Sequence, residues 1–296
     1  MSSAARHDGD VLSAIVAYLI CPVCGTELAL GRGSIRCPNN HSFDVARQGY
    51  VNLLPGGAQT GTADTAAMVE ARAAFLGEGH FASLATLLAG RVATAVGSSV
   101  TPESGSMLIV DAGAGTGYYL TMMLDRCPPA LGAAIDISKF AVRRAARAHP
   151  RIGAVAADLW GPLPVRSGAA HAILNVFAPR NPTEFRRVLR PDGTLFVVSP
   201  TARHLQELAH PLQLLSVDDN KTQQIDSVLG KLFDLVDRGE HEIDLLLAHP
   251  AVETLVSMGP SARHHRPADV RRRLAGLADP VPVTASFTVS IYRPAG

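Results

Sequence analysis

Leu108-Ile-Val-Asp111-Ala-Gly113-Ala-Gly115-Thr-Gly117-Tyr118-Tyr-Leu120 is the stretch that decides the fold. An apolar run reads as a strand, an aspartate follows it, and three alternating glycines then lead into a helix. Glycine is required where backbone must approach a ligand closely or take positive φ, and amides at a helix start can face an anion such as a carboxylate. The spacing is G-x-G-x-G after an Asp. It differs from the G-x-G-x-x-G of dinucleotide sites, and no G-x-x-x-x-G-K-[ST] nucleotide loop occurs.

Further strand-like runs alternate with helical stretches on the C-terminal side: Ala133–Ile135, Ala154–Ala156, Ala172–Leu174 and Thr194–Val198. Such alternation predicts an α/β fold around a parallel, doubly wound sheet. The chain closes with Glu242–Leu247 and Ser286–Tyr292, two strand-like runs separated by a helical, Arg-rich insertion. Three of the strands end in carboxylates: Asp111, then Asp136 nineteen residues after Gly117, then Asp158. Asp136 stands where a ribose diol is held in a doubly wound site, and Asp158 can accept from an adenine amine with Leu159 and Trp160 near the ring. Any one strand-terminal Asp can instead cap a helix.

These residues resemble the class I S-adenosylmethionine-dependent methyltransferases over roughly residues 107–296. That resemblance implies a Rossmann-like seven-stranded sheet. It also implies a cofactor set of Asp111, Gly113, Gly115, Gly117, Tyr118, Asp136, Ile137, Asp158, Leu159 and Asn175. Asn175-Val-Phe177-Ala-Pro179 follows the fourth strand, where this superfamily places substrate-facing residues, and Leu189-Arg-Pro-Asp-Gly193 matches the turn before its fifth.

Toward the N-terminus, Cys21-x2-Cys24, twelve residues and Cys37-x3-His41 give four ligands at zinc spacing, with Pro22, Gly25 and Pro38 in the knuckles. Four protein ligands leave no open position, so the Zn²⁺ is expected to be structural. The segment has too few apolar residues to fold without it. Cys127 has no partner in the sequence and reads as a small buried residue. The expected organisation is a zinc module over residues 1–57, a helical connector over 58–106 and the α/β body over 107–296. In the connector, Asp64 can cap a helix carrying Met68, Ala71, Phe75 and Leu76 that Gly77 and Gly79 end, and a second helix runs from Phe81 to Val96.

Cys21-Pro-Val-Cys24, Arg36-Cys-Pro-Asn-Asn-His41-Ser-Phe-Asp44 and Gln48-Gly-Tyr-Val-Asn-Leu-Leu-Pro55 together resemble the ribosomal RNA large-subunit methyltransferase A family. Met68–Phe81 is similar to that family's connector helix, and Ser199–Leu208 to its segment after strand five. Met258-Gly-Pro-Ser-Ala-Arg-His264 resembles the tylosin-resistance branch, which modifies the second of two neighbouring guanines. The resemblance implies N1-methylation of a guanine in a hairpin loop of 23S rRNA, and a homodimer with a cleft for RNA.

The net charge of +1 conceals segregation: residues 121–200 hold eleven Arg/Lys against five Asp/Glu, and residues 201–260 four against ten. A basic face suits a polyanion, although solvated helix faces give the same counts. Arg32, Arg36, Arg47 and Arg203 are candidate phosphate contacts. Asn175, Phe177 and Arg180 are candidates for holding the base, and no residue stands out as a general base, so the catalytic group is unassigned. No apolar run approaches the roughly 18 residues of a membrane span, and Val11–Ile20 lacks the marks of a signal peptide. A cytoplasmic location is expected. A small-molecule methyltransferase and a non-catalytic RNA-binding assembly factor are the competing readings.

Overall fold

Leu12, Ile15 and Val16 project from α1 (Gly9–Val16) into one core. The contact is close: a Cβ on Gly153 would lie 2.2 Å from Ile15 Cδ1, so glycine at that strand position makes room for the helix. The computed structural model describes residues 9–58, 61, 63–97, 106–215, 217–218 and 220–296, so most of the polar tail and part of the Gly56–Thr62 link lie outside the described residues.

After α1, β1 (Ala29–Leu30), β2 (Ser34–Arg36) and β3 (Ser42–Asp44) form a small antiparallel sheet. Strand β4 (Tyr50–Asn52) precedes α2 (Ala66–Gly77) and α3 (Ala82–Gly97). The body then runs through β5 (Met107–Ala112), α4 (Tyr118–Arg126), β6 (Ala130–Asp136), α5 (Lys139–Ala145), β7 (Ile152–Ala156), β8 (Ala170–Val176), α6 (Pro182–Val188) and β9 (Leu189–Pro200). It continues through α7 (Gln206–Leu212), α8 (Lys221–Leu229), β10 (Phe233–Leu247), α9 (His249–Met258), a short 3-10 turn (Pro260–Arg263), α10 (Pro267–Leu274) and β11 (Val281–Pro294).

The large sheet has the order β10-β11-β9-β8-β5-β6-β7-β4. Strands β5 to β9 pair in parallel, and β11 and β10 add antiparallel beyond β9. The seven strands β5–β11 are the expected sheet. An eighth, β4, comes from the N-terminal segment and pairs in parallel with β7 from Tyr50↔Ala154 to Asn52↔Ala156. Every residue of β5 is buried, as a strand covered on both faces requires. Alternation sends Ile109 into a core with α3, α4 and α9, and Leu108 and Val110 into a second core with α1 and α6.

Helix α2 is capped by Thr65, whose Oγ1 accepts from Met68 N at 3.3 Å, and not by Asp64. Thr65 has the extended backbone a cap needs, and the Asp64 carboxylate is taken by an ion pair with Arg72. Among the described residues no helix is long and apolar enough to cross a membrane.

Candidate functional site

Cys21, Cys24, Cys37 and His41 converge so that their ligand atoms lie within 4.8 Å of one another. Cys24 Sγ is 3.7 Å from Cys37 Sγ, and His41 Nδ1 is 3.6 Å from Cys21 Sγ and 3.4 Å from Cys37 Sγ. A tetrahedron of zinc–thiolate and zinc–imidazole bonds has edges of about 3.5–3.8 Å, so the set fits Zn²⁺. Tight turns aim the ligands: Gly25 and Asn40 take φ of 73° and 63°, and their amides donate to Cys21 O and Cys37 O. Hydrogen bonds from Thr26 pull the Cys24 thiol down to about 5, which favours the ligating thiolate. Cys21 and Cys37 are packed in the same core as α1. Cys127 is buried and stands apart from this cluster.

At the C-terminal ends of the parallel strands, Gly113, Gly115 and Gly117 take φ of 92°, 53° and 79°. All three lie in the left-handed region that favours glycine. Turn amides are largely used internally: Gly113 and Ala114 donate to Ile135 O, Gly115 to Asp136 Oδ2 at 2.9 Å, and Gly117 to Ala114 O. The donors left to face an anion are Thr116 N and those of the first turn of α4, where Tyr118 is half-buried and Tyr119 buried.

None of the three aspartates caps a helix. Gly117 is the N-cap of α4, Ser138 is the N-cap of α5, and no helix follows Asp158 before β8. Asp136 locks the glycine turn to β6, accepting from Gly115 N and, at 2.8 Å, from Ser138 N. Asp158 Oδ1 accepts from Trp160 N at 3.0 Å. Asp111 is buried, and no hydrogen bond or ion pair joins its carboxylate to any described residue. Burial, and then the Asp136 charge, pushes it up to about 8. Burial raises Asp136 too. A buried carboxylate without a partner among the described residues, with a second one near it, suits a cationic ligand, which S-adenosylmethionine is.

Asn175 is fully buried, and its Nδ2 donates to Ala112 O at 3.1 Å and Pro179 O at 2.8 Å. Two carbonyls fix the amide's orientation, so Oδ1 is a buried acceptor without a partner among the described residues. Tyr119 Oη, Arg180 Nε and His204 Nδ1 are likewise buried and unpartnered among the described residues. Asn175 lies near the C-terminal end of β8, and the other three belong to segments that follow β5, β8 or β9. Phe177 takes φ 55°, rare for an aromatic residue, and is 43% exposed. Its ring lies 6.5 Å from Tyr119 and 5.3 Å from Phe287, and the His204 ring lies tilted 4.8 Å from Phe287. Arg180 is not a plain surface residue: it is half-buried with Nε enclosed, and that burial lowers the pKa of its guanidinium. Ile137 is half-buried beside Asp136. Leu159 is buried with Cδ1 3.6 Å from where a Gly113 Cβ would stand, whereas Trp160 is 69% exposed.

Arg32, Arg36 and Arg47 are exposed, and none pairs with a carboxylate among the described residues. Arg203 differs, lying 3.4 Å from Glu242. The residue that sequence reasoning passed over is Arg72. From α2 it reaches over the glycine turn, with Nη1 3.3 Å from a Gly115 Cβ position, while pairing with Asp64 and donating to Met258 O at 2.8 Å. Its place in the Met68–Phe81 helix was visible, but no local pattern points it at residue 115. Tyr119 and His204 were passed over for the same reason.

A zinc-ribbon family model described as RlmA, N-terminal, matches residues 19–60. A 23S rRNA (guanine(748)-N(1))-methyltransferase of Streptomyces fradiae is 47% identical over 280 residues, spanning 95% of this chain and 98% of its own. A provisionally named 23S rRNA (guanine-N(1)-)-methyltransferase of Micromonospora griseorubida is 48% identical over 291 residues, with the same 95% and 98% coverage. Among solved structures, the MccD protein aligns at 16% identity and a TM-score of 0.45, covering 64% of this chain and 90% of its own, which adds nothing to the sheet order already described. Identity near one half over 95% of its length places the chain in the 23S rRNA (guanine-N1)-methyltransferase family.

Proposed function

We propose that this chain methylates N1 of guanine 748 in a hairpin loop of 23S rRNA, the position in the name of its Streptomyces fradiae relative. The observation that carries this reading is the end-to-end likeness, because it takes in the zinc module and the body together. Residues 1–57 serve as the zinc-stabilised RNA-recognition module, 58–106 as the connector that covers the cofactor, and 107–296 as the catalytic body.

When bound, S-adenosylmethionine supplies an electrophilic methyl group. Gly113, Gly115 and Gly117 let backbone close on it, and Tyr118 and the start of α4 face its carboxylate. Asp111 compensates its positive charge. Asp136, with Ile137 beside it, takes the ribose through lone pairs not used by Gly115 and Ser138, and Asp158 with Leu159 takes the adenine. Guanine N1 carries a proton at neutral pH, so bond formation there requires that proton to leave and charge on O6 to be held. Asn175 Oδ1 is a buried acceptor suited to an N–H of the cofactor or the base. Phe177 offers its exposed ring for stacking, and Arg180 brings positive charge toward O6. Much of the rate then comes from holding the two reactants in line.

Arg32, Arg36 and Arg47 meet phosphates. Arg203 does so once it leaves Glu242. The chain works in the cytoplasm, pairs as a homodimer around the RNA and confers resistance to tylosin-type macrolides. The decisive experiment is methyl transfer from labelled S-adenosylmethionine to unmodified 23S rRNA, with the product mapped by the block that N1-methylguanine sets to reverse transcription. A single stop at guanine 748 is expected. Cofactor binding with no transfer to RNA would overturn the proposal.

A further inference from the structure

Six phenylalanines of the chain, Phe75, Phe81, Phe185, Phe196, Phe233 and Phe287, are buried in the cores, whereas the single tryptophan, Trp160, stands 69% exposed. Loose backbone does not explain its exposure. The loop from Ala157 to Ala169 is held by side chains along its length. Asn181 Nδ2 lies 3.1–3.3 Å from the carbonyls of Leu159, Trp160 and Gly161, and Trp160 N donates to Asp158. Glu184 accepts from Leu163 N at 2.7 Å, and Arg187 donates to Leu163 O at 2.8 Å and Val165 O at 2.7 Å.

The far end of the loop is fastened to the zinc-binding segment. Ile20 N donates to Pro164 O at 3.1 Å, Arg166 N donates to Tyr18 O at 2.8 Å, and Leu19 bridges Val165. One rigid loop thus spans from the cofactor edge, at Asp158, to the base of the zinc module. Between Leu159 and Ala169 its one charged side chain is Arg166, which lies 3.7 Å from Glu27. Within it Leu159 turns inward against Gly113, and the indole of the next residue is left in solvent. Among the described residues no ring or cation lies against it.

We infer that Trp160 is a stacking platform for an unpaired base of the RNA substrate, at the rim shared by the zinc module and the cofactor edge. The inference rests on the proposed rRNA reading. A base offers a flat π face to an indole whatever its identity, and a backbone already held by hydrogen bonds has less freedom to lose when the base arrives. The carboxylates held against this loop, Asp158 and Glu184, already accept hydrogen bonds from Trp160 N, Leu163 N and Arg187.

The sole tryptophan makes the test direct. Intrinsic fluorescence of the full-length, zinc-loaded chain is titrated with S-adenosylhomocysteine, and separately with a 23S rRNA hairpin fragment. The expected result is quenching by RNA and little change with S-adenosylhomocysteine. Trp160→Ala should weaken RNA binding about tenfold and Trp160→Phe by less than about threefold, with cofactor affinity and thermal midpoint unchanged. Quenching by S-adenosylhomocysteine that RNA does not extend would assign the indole to the adenine pocket and overturn the inference. So would a Trp160→Ala variant that binds and methylates RNA like the parent, a result that leaves the rRNA reading intact. If the parent chain neither binds nor methylates the hairpin, the rRNA reading falls and this inference falls with it.

Discussion

A Cβ placed on Gly113 would stand 2.2 Å from the Cβ of Ala178, so the glycine turn and the loop after β8 pack with no space between them. The Gly113 backbone also sits at φ 92°, which an L side chain rarely adopts. Gly113→Ala should therefore weaken cofactor binding by at least about 30-fold, from backbone strain and overpacking together. Adding Ala178→Gly removes the clash but leaves the φ, so the double variant should recover only part of the loss. Titration calorimetry with S-adenosylhomocysteine measures both.

Asn175 separates two kinds of damage. Its Nδ2 holds two carbonyls, so Asn175→Ala orphans Ala112 O and Pro179 O and should cost about 2–4 kcal/mol of stability. Asn175→Asp sets a carboxylate oxygen against the same carbonyls and should melt lower still at pH 7.5. Both variants should lose most of the methyl transfer. An aspartate variant as stable as the parent would show the amide to be flipped, with Nδ2 facing the pocket.

The seven strands β5–β11 and the zinc ligands were legible because their signals are local: alternating apolar runs, glycines at fixed spacing and paired cysteines. The cap of α2 was misread by one position because Asp64 and Thr65 are both good caps, and only the distant Arg72 decides between them. Strand β4 could not be foreseen, since Tyr50-Val-Asn52 is three residues long and its partner lies a hundred residues away. The reach of Arg72 over Gly115, the inward Arg180 and the φ of Phe177 depend on tertiary packing, and no periodicity encodes them.

Zinc removal tests the ribbon. The chain should hold one zinc ion, and a chelator or Cys37→Ser should lower the thermal midpoint by several degrees and admit protease between residues 19 and 60. Because the same segment is hydrogen-bonded to the Ala157–Ala169 loop, RNA binding should fall further than cofactor binding. Metal analysis, limited proteolysis and the two titrations report these effects separately.

Asp111 sets a pH dependence. Its folded-state value of about 8 lies above the ordinary 3.8, so its stabilising contribution is full below pH about 4, declines as pH rises and is lost above about 8. Without cofactor, Asp111→Asn should melt higher than the parent at pH 8.5, with the gap closing toward pH 4.5. Saturating S-adenosylmethionine should reverse the order at pH 8.5, since a bound cation favours the carboxylate. Melting curves across that range, with and without cofactor, measure the crossover.

Arg32, Arg36 and Arg47 make a salt prediction. If each meets one phosphate, replacing all three by glutamine should reduce the slope of log K against log salt by about 2 for a single-stranded target. Cofactor affinity should stay unchanged. Arg203→Gln should have a smaller effect, because its charge is already shared with Glu242. Filter binding at several salt concentrations gives the slopes.

Strand β4 belongs to the zinc-bearing segment by sequence and to the catalytic sheet by hydrogen bonding. Severing the chain between Pro55 and Asp64 would therefore leave β7 as a bare edge, with unpaired amides and carbonyls along Ala154–Ala156 open to pairing with another molecule. Fragments made at that link should aggregate when expressed apart and recover when expressed together. The ribbon cannot be grafted onto a foreign methyltransferase as a self-contained reader unless the acceptor sheet offers it a vacant edge.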